Sequence, residues 1–364
     1  MSLSLGIAGG GVIGRLVALK ASALGWKVAL FERGDEAGGA SCSSAAAGML
    51  APWCELDSAE KIIADLGAIS LKEWPEMLGD FGIETFFQRE GSLVVAHASD
   101  RGEMSSLKRN IHVRGGEKYF HEARTEELAA LEPSLDKSFQ TALYFPSEGQ
   151  IDPRGFMAST PKAMRAQKIE ARFGSVVEKI APHEIRTNGE THRFDCAVDC
   201  RGYGAASDMP DLRAVRGEII HLHAPDVRLN RPIRLLHPRW PLYVVPRPDN
   251  RYVVGATSIE AEDASPISVR STLELLSAVF ALHSGFAEAR VIETLTGLRP
   301  AFPDNLPRIR HRPGLLRING LYRHGYLLAP ALTGLACDFI ENGKPDAAFA
   351  SVFEPDEAAK GLAA

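Results

Sequence analysis

The opening of the chain limits its possible folds more than any other stretch. Residues 3–8 form a short apolar run, Gly9-Gly10-Gly11-Val12-Ile13-Gly14 follows at once, and Val12, Leu16, Leu19 and Ala23 then recur at helical spacing. Gly25 stands where a helix C-terminal cap belongs, and residues 26–31 are a second apolar run that ends in Glu32. Strand, glycine turn, helix and strand in this order make a βαβ unit, the context in which Gly-x-Gly-x-x-Gly becomes informative. Gly9 permits the tight turn, Gly11 lets the backbone approach a pyrophosphate, and Gly14 lets the helix pack on the strand. The free amides at the helix start then face the phosphates. Glu32, 18 residues beyond Gly14, is placed to accept hydrogen bonds from ribose hydroxyls, and its carboxylate would repel a 2′-phosphate, which disfavours NADP. The fingerprint alone leaves NAD and FAD both open.

The 364 residues allow one large domain or two ordinary ones, and a 45% hydrophobic, 24% charged composition suits a soluble enzyme. A net charge of -5 with no long basic run excludes nucleic acid as an expected partner. The five scattered cysteines (Cys42, Cys54, Cys196, Cys200 and Cys337) fit reduced thiols in a cytoplasmic protein. The apolar start lacks a basic leader and is interrupted by glycines, so it is not expected to be a signal peptide, and no stretch is long and apolar enough for a membrane span. Helical spacing recurs over residues 58–77, 154–166, 267–283 and 330–341, the last with Pro330 in its first turn and Asn342-Gly343 at its end. Residues 80–145 suggest short strands among charged turns, residues 172–180 and 193–200 two strands, and residues 216–260 a mostly antiparallel sheet. The expected fold class is α/β (α+β overall): a Rossmann-type lobe from residues 1–79, 146–215 and 297–364, interleaved with a sheet-rich lobe from 80–145 and 216–296.

Several further segments carry a resemblance: Ser44-Ala45-Ala46-Ala47-Gly48-Met49-Leu50-Ala51-Pro52, Val215-Arg216-Gly217-Glu218, Tyr243-Val244-Val245-Pro246-Arg247, Gly297-Leu298-Arg299-Pro300 and Tyr322-Arg323-His324-Gly325-Tyr326-Leu327-Leu328-Ala329-Pro330. With Gly9 to Gly14 and Glu32-Arg33, they make the chain resemble the FAD-dependent amino-acid oxidases related to D-amino-acid oxidase and sarcosine oxidase, and among them the glycine oxidases of thiamine biosynthesis. The resemblance implies that Arg299 holds a substrate carboxylate, with Tyr243 and Arg323 nearby. It implies that FAD is held by Gly9, Gly11, Val12, Ile13, Gly14, Glu32, Arg33, Ser41, Ala47, Gly48, Met49, Val177, Gly202, His324, Gly325, Tyr326 and Leu327, Val177 meeting the adenine through its backbone. Sarcosine oxidases tether their flavin to a cysteine near the stretch that reads Leu298-Arg299-Pro300-Ala301 here. No cysteine lies in that stretch, so non-covalent FAD is expected. His324 occupies a position that varies in the family, and residues 53–57 match none of its motifs.

The chemistry of these residue types agrees. A guanidinium fork pairs both oxygens of a carboxylate, and a mid-strand tyrosine can reach the same group. The expected partners are a small amino acid or amine and molecular oxygen: a hydride passes from Cα to the flavin, an imine forms and oxygen becomes hydrogen peroxide. That chemistry needs an aligned neutral amine rather than a strong base. The helix expected to start near Pro330, with Thr333 and Gly334 allowing close approach, could stabilise negative charge on the flavin. A D-amino-acid dehydrogenase passing electrons to a quinone, a tRNA-modifying flavoprotein oxidising an N-substituted glycine and an NAD-dependent dehydrogenase are the competing readings, and a homo-oligomer is left open. His221-x-His223 lacks an acidic or cysteine partner, so no metal is expected. Cys196 and Cys200 suit a buried strand, and residues 231–239, with arginines between prolines, suit a solvated loop or lid.

Overall fold

The computed structural model describes residues 2–39, 41–238 and 241–356. The opening unit forms as its pattern requires: strand Ser4–Ala8, helix Val12–Ala23, strand Lys27–Glu32, the two strands paired in parallel. Around it grows a seven-stranded sheet in the order Phe353–Pro355, Arg308–Arg312, Leu315–Asn319, Cys196–Asp199, Ser4–Ala8, Lys27–Glu32 and Glu170–Phe173. All neighbours are parallel except Arg308–Arg312 against Leu315–Asn319. Leu5, Ile7, Leu30, Val198 and Leu316 turn one face toward the helices Val12–Ala23, Lys61–Asp80 and Gly325–Asn342. Ala8, Ala29, Phe31 and Ala197 turn the other toward Ile180 and Ile185 of a small antiparallel sheet. Burial on both faces explains why these strands read as unbroken apolar runs.

The second lobe is an eight-stranded sheet in the order Arg290–Ala301, Arg213–His223, Arg251–Gly255, Leu242–Arg247, Ile233–Leu236, Ser92–Ala96, Thr141–Phe145 and His121–Arg124. It is antiparallel apart from the parallel pair Ile233–Leu236 and Ser92–Ala96. Helix Val269–Leu282 covers one face with Leu275, Val279 and Leu282. A three-stranded piece (Met49–Leu50, Gly149–Ile151, Phe87–Gln88) stitches the lobes together. Among the described residues no helix is long and apolar enough to cross a membrane, and no group of metal-ligating side chains forms.

Five sequence expectations are corrected. The last helix begins at Gly325, not near Pro330, so Gly325 to Leu328 is its first turn and Thr333 and Gly334 lie well inside it. Proline inside a helix leaves the carbonyl four residues earlier without its donor. Here that carbonyl belongs to Tyr326, and the fully buried Trp74 indole donates to it at 3.0 Å. Residues 231–239 are not a solvated loop: Ile233–Leu236 is a sheet strand, Arg231 is buried against Glu132 at 3.0 Å, and Arg234 pairs with Asp57 at 2.8 Å. Arg239 lies outside the described residues. Residues 172–180 divide into Glu170–Phe173 and Val177–Ala181, which belong to different sheets, because Gly174 turns the chain with φ of +70°. In 193–200 the strand is only Cys196–Asp199. Residues 80–145 also hold two helices, Arg101–Val113 and Thr125–Leu131, the first burying Leu107 and Ile111 on one side.

Candidate active site

The glycine turn is built as the fingerprint demands. Gly9 has φ of +99°, and a Cβ there would lie 2.5 Å from the Cys200 carbonyl oxygen. A Cβ on Gly14 would lie 1.9 Å from the Gly9 carbonyl oxygen, so no other residue lets the helix come this close. Glu32 closes the turn: its carboxylate accepts from the Gly10 and Gly34 amides, each at 2.6 Å. Beneath it the fully buried Arg15 donates to the Gly10 carbonyl at 2.7 Å and to Thr160 and Met157, fixing the turn to the helix Pro153–Ala166.

The other expected cofactor residues converge on this turn from separate segments. Ser41 and Ser44 both donate to the Gly38 carbonyl at 2.7 Å, and Ser43 accepts from the Val12 amide at 3.0 Å at the helix start. Ala40 lies outside the described residues. Gly48 has φ of +68° and hands the chain to Met49, while the half-buried Arg247 donates to the Ala47 and Ile151 carbonyls and so docks this segment on the second lobe. Val177 stands two residues after Ser175, whose amide binds the Glu32 carbonyl at 2.8 Å. Gly202, with φ of +56°, accepts from the Asn319 side chain at 2.9 Å. Ile13 is buried in the first helix and Arg33 is exposed beyond Glu32.

Two glycines explain how Arg299 and Tyr243 meet. Arg299 lies on the edge strand Arg290–Ala301, and Tyr243 on Leu242–Arg247, three strand spacings or about 14 Å away. Register puts Val215 opposite Arg299, Gly217 opposite Gly297, Ile219 opposite Gly255 and Gly255 opposite Tyr243, so all share one face. A Cβ on Gly217 would lie 2.2 Å from an Arg299 guanidinium nitrogen, and one on Gly255 2.9 Å from the Tyr243 hydroxyl. Both side chains therefore lie flat over a bare strand and approach one another from opposite sides. Glycine inside a strand marks such close approach, a signal the sequence carried at 217 and 255. Ile219, Val245 and Val253 on this face pack against Ala47 and Met49, bringing the small-residue segment onto the same surface.

Arg299 donates to the Thr257 carbonyl at 3.0 Å, and Thr257 is itself fixed by the buried Glu218, to which its hydroxyl donates at 2.9 Å. Arg299 makes no ion pair among the described residues, which leaves most of its fork for a ligand. Burial raises the Tyr243 phenol although the charge of Arg299 works against that rise, and part of its surface stays open. Cys42, on the Ser41–Ser44 turn, has its sulfur 3.6 Å from where a Gly297 Cβ would stand. The fold thus brings a cysteine to the strand that has none in sequence.

The third side is the turn before the last helix. The Tyr322 amide donates to the Pro300 carbonyl at 2.9 Å, one residue past Arg299, and this sets Arg323 and His324 beside it. The amides of Gly325, Tyr326 and Leu327 open the helix here, five residues earlier than expected, so the anion-stabilising end still faces the site. Sequence reasoning missed the partner of this turn. Glu55 lies 3.3 Å from Arg323 and 3.1 Å from His324. Burial would raise its carboxyl, but Arg323, His324 and Arg234 outweigh burial and hold it well below the usual carboxylate range. An acidic residue directly after the apolar run 49–54 was the available signal. Burial lowers the His324 imidazole, which favours the neutral ring near pH 7; its Nε2 meets Glu55 at 3.1 Å, and its buried Nδ1 has no partner among the described residues. Arg323 Nε also donates to His324 Nε2 at 3.3 Å while standing 3.3 Å from the Glu55 carboxylate.

The positive-φ cradle, the helix amides and the orphaned imidazole nitrogen fit a large anionic dinucleotide. Such a two-lobed arrangement defines a flavin-dependent oxidoreductase. The family model of FAD dependent oxidoreductases matches residues 5–338, and the chain belongs to that family. It is 41% identical over 340 residues to the "Putative thiamine biosynthesis oxidoreductase ThiO" of Rhizobium etli, covering 93% of this chain and 97% of that protein. It is 27% identical to the glycine oxidase of Geobacillus kaustophilus, covering 92% of each. The crystal structure of the G. kaustophilus glycine oxidase superposes with a TM-score of 0.81 at 25% identity, over 95% of this chain and 96% of that one. The chain is an FAD-dependent oxidoreductase, as the resemblance implied.

Proposed function

We propose that the substrate is glycine or another small amino acid or secondary amine, and that oxygen accepts the electrons as hydrogen peroxide. The single observation behind this reading is the Arg299 fork, laid over Gly217 without an acidic partner and beside the Tyr243 hydroxyl. When bound, FAD supplies the hydride acceptor for the substrate Cα–H and the route from there to oxygen. The chain's part is to hold the substrate. Arg299 pairs both carboxylate oxygens, the Tyr243 hydroxyl donates to one of them, and the substrate amine is left facing the ring with no strong base against it. The amides of Gly325 to Leu327 would steady negative charge at the ring end, and Glu32 would take the ribose hydroxyls at the other. The similarity to the named thiamine biosynthesis oxidoreductase supports a place in thiamine synthesis.

A peroxide-coupled screen of glycine, sarcosine and small D-amino acids with the purified yellow protein tests this reading. Arg299→Ala should raise KM by about ten- to hundredfold, as expected for losing a charge-assisted pair. An unchanged KM would remove the carboxylate role, and electron transfer to a quinone without peroxide would move the enzyme to the dehydrogenases.

A further inference from the structure

The recess holds two guanidinium groups, but only one of them is free. Arg299 has no ion pair among the described residues, whereas Arg323 is paired with Glu55 at 3.3 Å and donates to the Ser58 hydroxyl at 2.6 Å. With the His324 ring neutral, Arg299, Arg323 and Glu55 together leave one net positive charge facing the substrate. Tyr243 lies within electrostatic reach of all three, which places them around one volume.

The backbone on either side of Glu55 is held in place. Its loop is fastened beneath by the fully buried Glu148 carboxylate, which accepts the Trp53 amide at 2.7 Å and the Cys54 amide at 2.8 Å. It is fastened laterally by Arg234, which donates to the Cys54 carbonyl and pairs with Asp57, and by Arg114, which donates to the Leu56 carbonyl at 2.6 Å. A chain that needed only to seat a loop could do so with these contacts; the carboxylate at 55 is an additional charge turned to the site.

We propose that Glu55 is a specificity-determining residue that restricts the site to substrates with one negative charge. The proposal rests on the reading of Arg299 as the carboxylate anchor. A monocarboxylate neutralises the single free charge of the recess. A dicarboxylate would bring a second negative charge for which no unpaired cation is left, and burying it beside the Glu55–Arg323 pair without a counter-charge disfavours it by roughly tenfold or more. Removing the charge at 55 releases Arg323 as a second anchor.

Two dead-end ligands of the flavin-loaded enzyme test this without turnover: glycolate with one carboxylate and diglycolate with two, their dissociation constants read from perturbation of the flavin spectrum. Glu55→Gln keeps an acceptor for His324 and removes the charge. It should tighten diglycolate by about tenfold or more while changing glycolate by less than about threefold, and the kcat/KM ratio of iminodiacetate to glycine should rise in step. Arg323→Met leaves Glu55 unpaired and should weaken diglycolate more than glycolate. This second variant decides the matter if Glu55→Gln fails to load flavin. A diglycolate-to-glycolate ratio unmoved by either variant, or equal weakening of both ligands, would make Glu55 a structural residue and overturn the proposal. If neither ligand binds the unsubstituted holoenzyme, it is the anchor role of Arg299 that fails instead.

Discussion

A single methyl group placed at Gly217 should disable the carboxylate anchor without touching it chemically. A Cβ there would lie 2.2 Å from one Arg299 nitrogen, 2.3 Å from Cζ and 2.8 Å from Nε. Carbon needs about 3.5–4.0 Å, so one partner must move by roughly 1.5 Å. The atoms in the way are the end of a flexible side chain, whereas Gly217 is held in a paired strand between Gly297 and its other neighbours. The guanidinium therefore shifts and the fold does not. A bidentate fork tolerates little displacement, and its loss is worth about 1.5–3 kcal/mol, or roughly ten- to 150-fold in kcat/KM. The assay is steady-state turnover of the preferred amino acid by Gly217→Ala, Arg299→Ala and the double variant, with flavin content and melting temperature measured on each. Gly217→Ala should lower kcat/KM at full flavin content with little change in melting temperature, and should add almost nothing on top of Arg299→Ala. Additive losses in the double variant, or unchanged kinetics in the single one, would refute the idea that Gly217 acts through Arg299.

Three further outcomes are expected. Gly14→Ala, whose new Cβ would fall 1.9 Å from the Gly9 carbonyl oxygen, should be recovered without flavin, because both partners are backbone and neither can yield; absorbance of the purified variant checks this. Burial pushes the Glu148 carboxyl up to about 7, so the folded state keeps a proton that the unfolded chain gives up near 4.5, and stability should fall by roughly 3 kcal/mol as pH rises from about 4.5 to 7. Glu148→Gln should flatten that slope in melts across the pH range. Trp74→Phe should destabilise the protein by about 1–3 kcal/mol by stranding the Tyr326 carbonyl, and adding Pro330→Ala, which restores the amide that carbonyl lacks, should recover part of the loss in denaturant titrations.

Sequence pattern revealed what depends on local chemistry and missed what depends on pairing across distance. Gly9, Gly14 and Glu32 were legible because one turn and one helix start explain them, and the structure gives the two glycines the close backbone approach expected of them. Pro330 misled because proline is common in a first turn, and nothing local announces a tryptophan 256 residues earlier that satisfies the bared carbonyl. Arg231 and Arg234 looked like solvated charges because their partners, Glu132 and Asp57, lie about a hundred or more residues away in sequence. Glu55 escaped for the same reason.

These misses share a physical cause. A charge is read as solvated unless its counter-charge is visible, and in an interleaved two-lobe fold the counter-charge is almost always on another segment. The same interleaving gives the site its character. Arg299 and Tyr243 come from strands at either side of two bare glycines, Arg323 and His324 from a helix start in the other lobe, and Glu55 from a loop pinned beneath both. Of the two arginines that a motif comparison would treat alike, only Arg299 lacks an acidic partner among the described residues. On the proposed reading, which of them receives a carboxylate is set by a glutamate that belongs to neither motif, and local pattern carries no information about that choice.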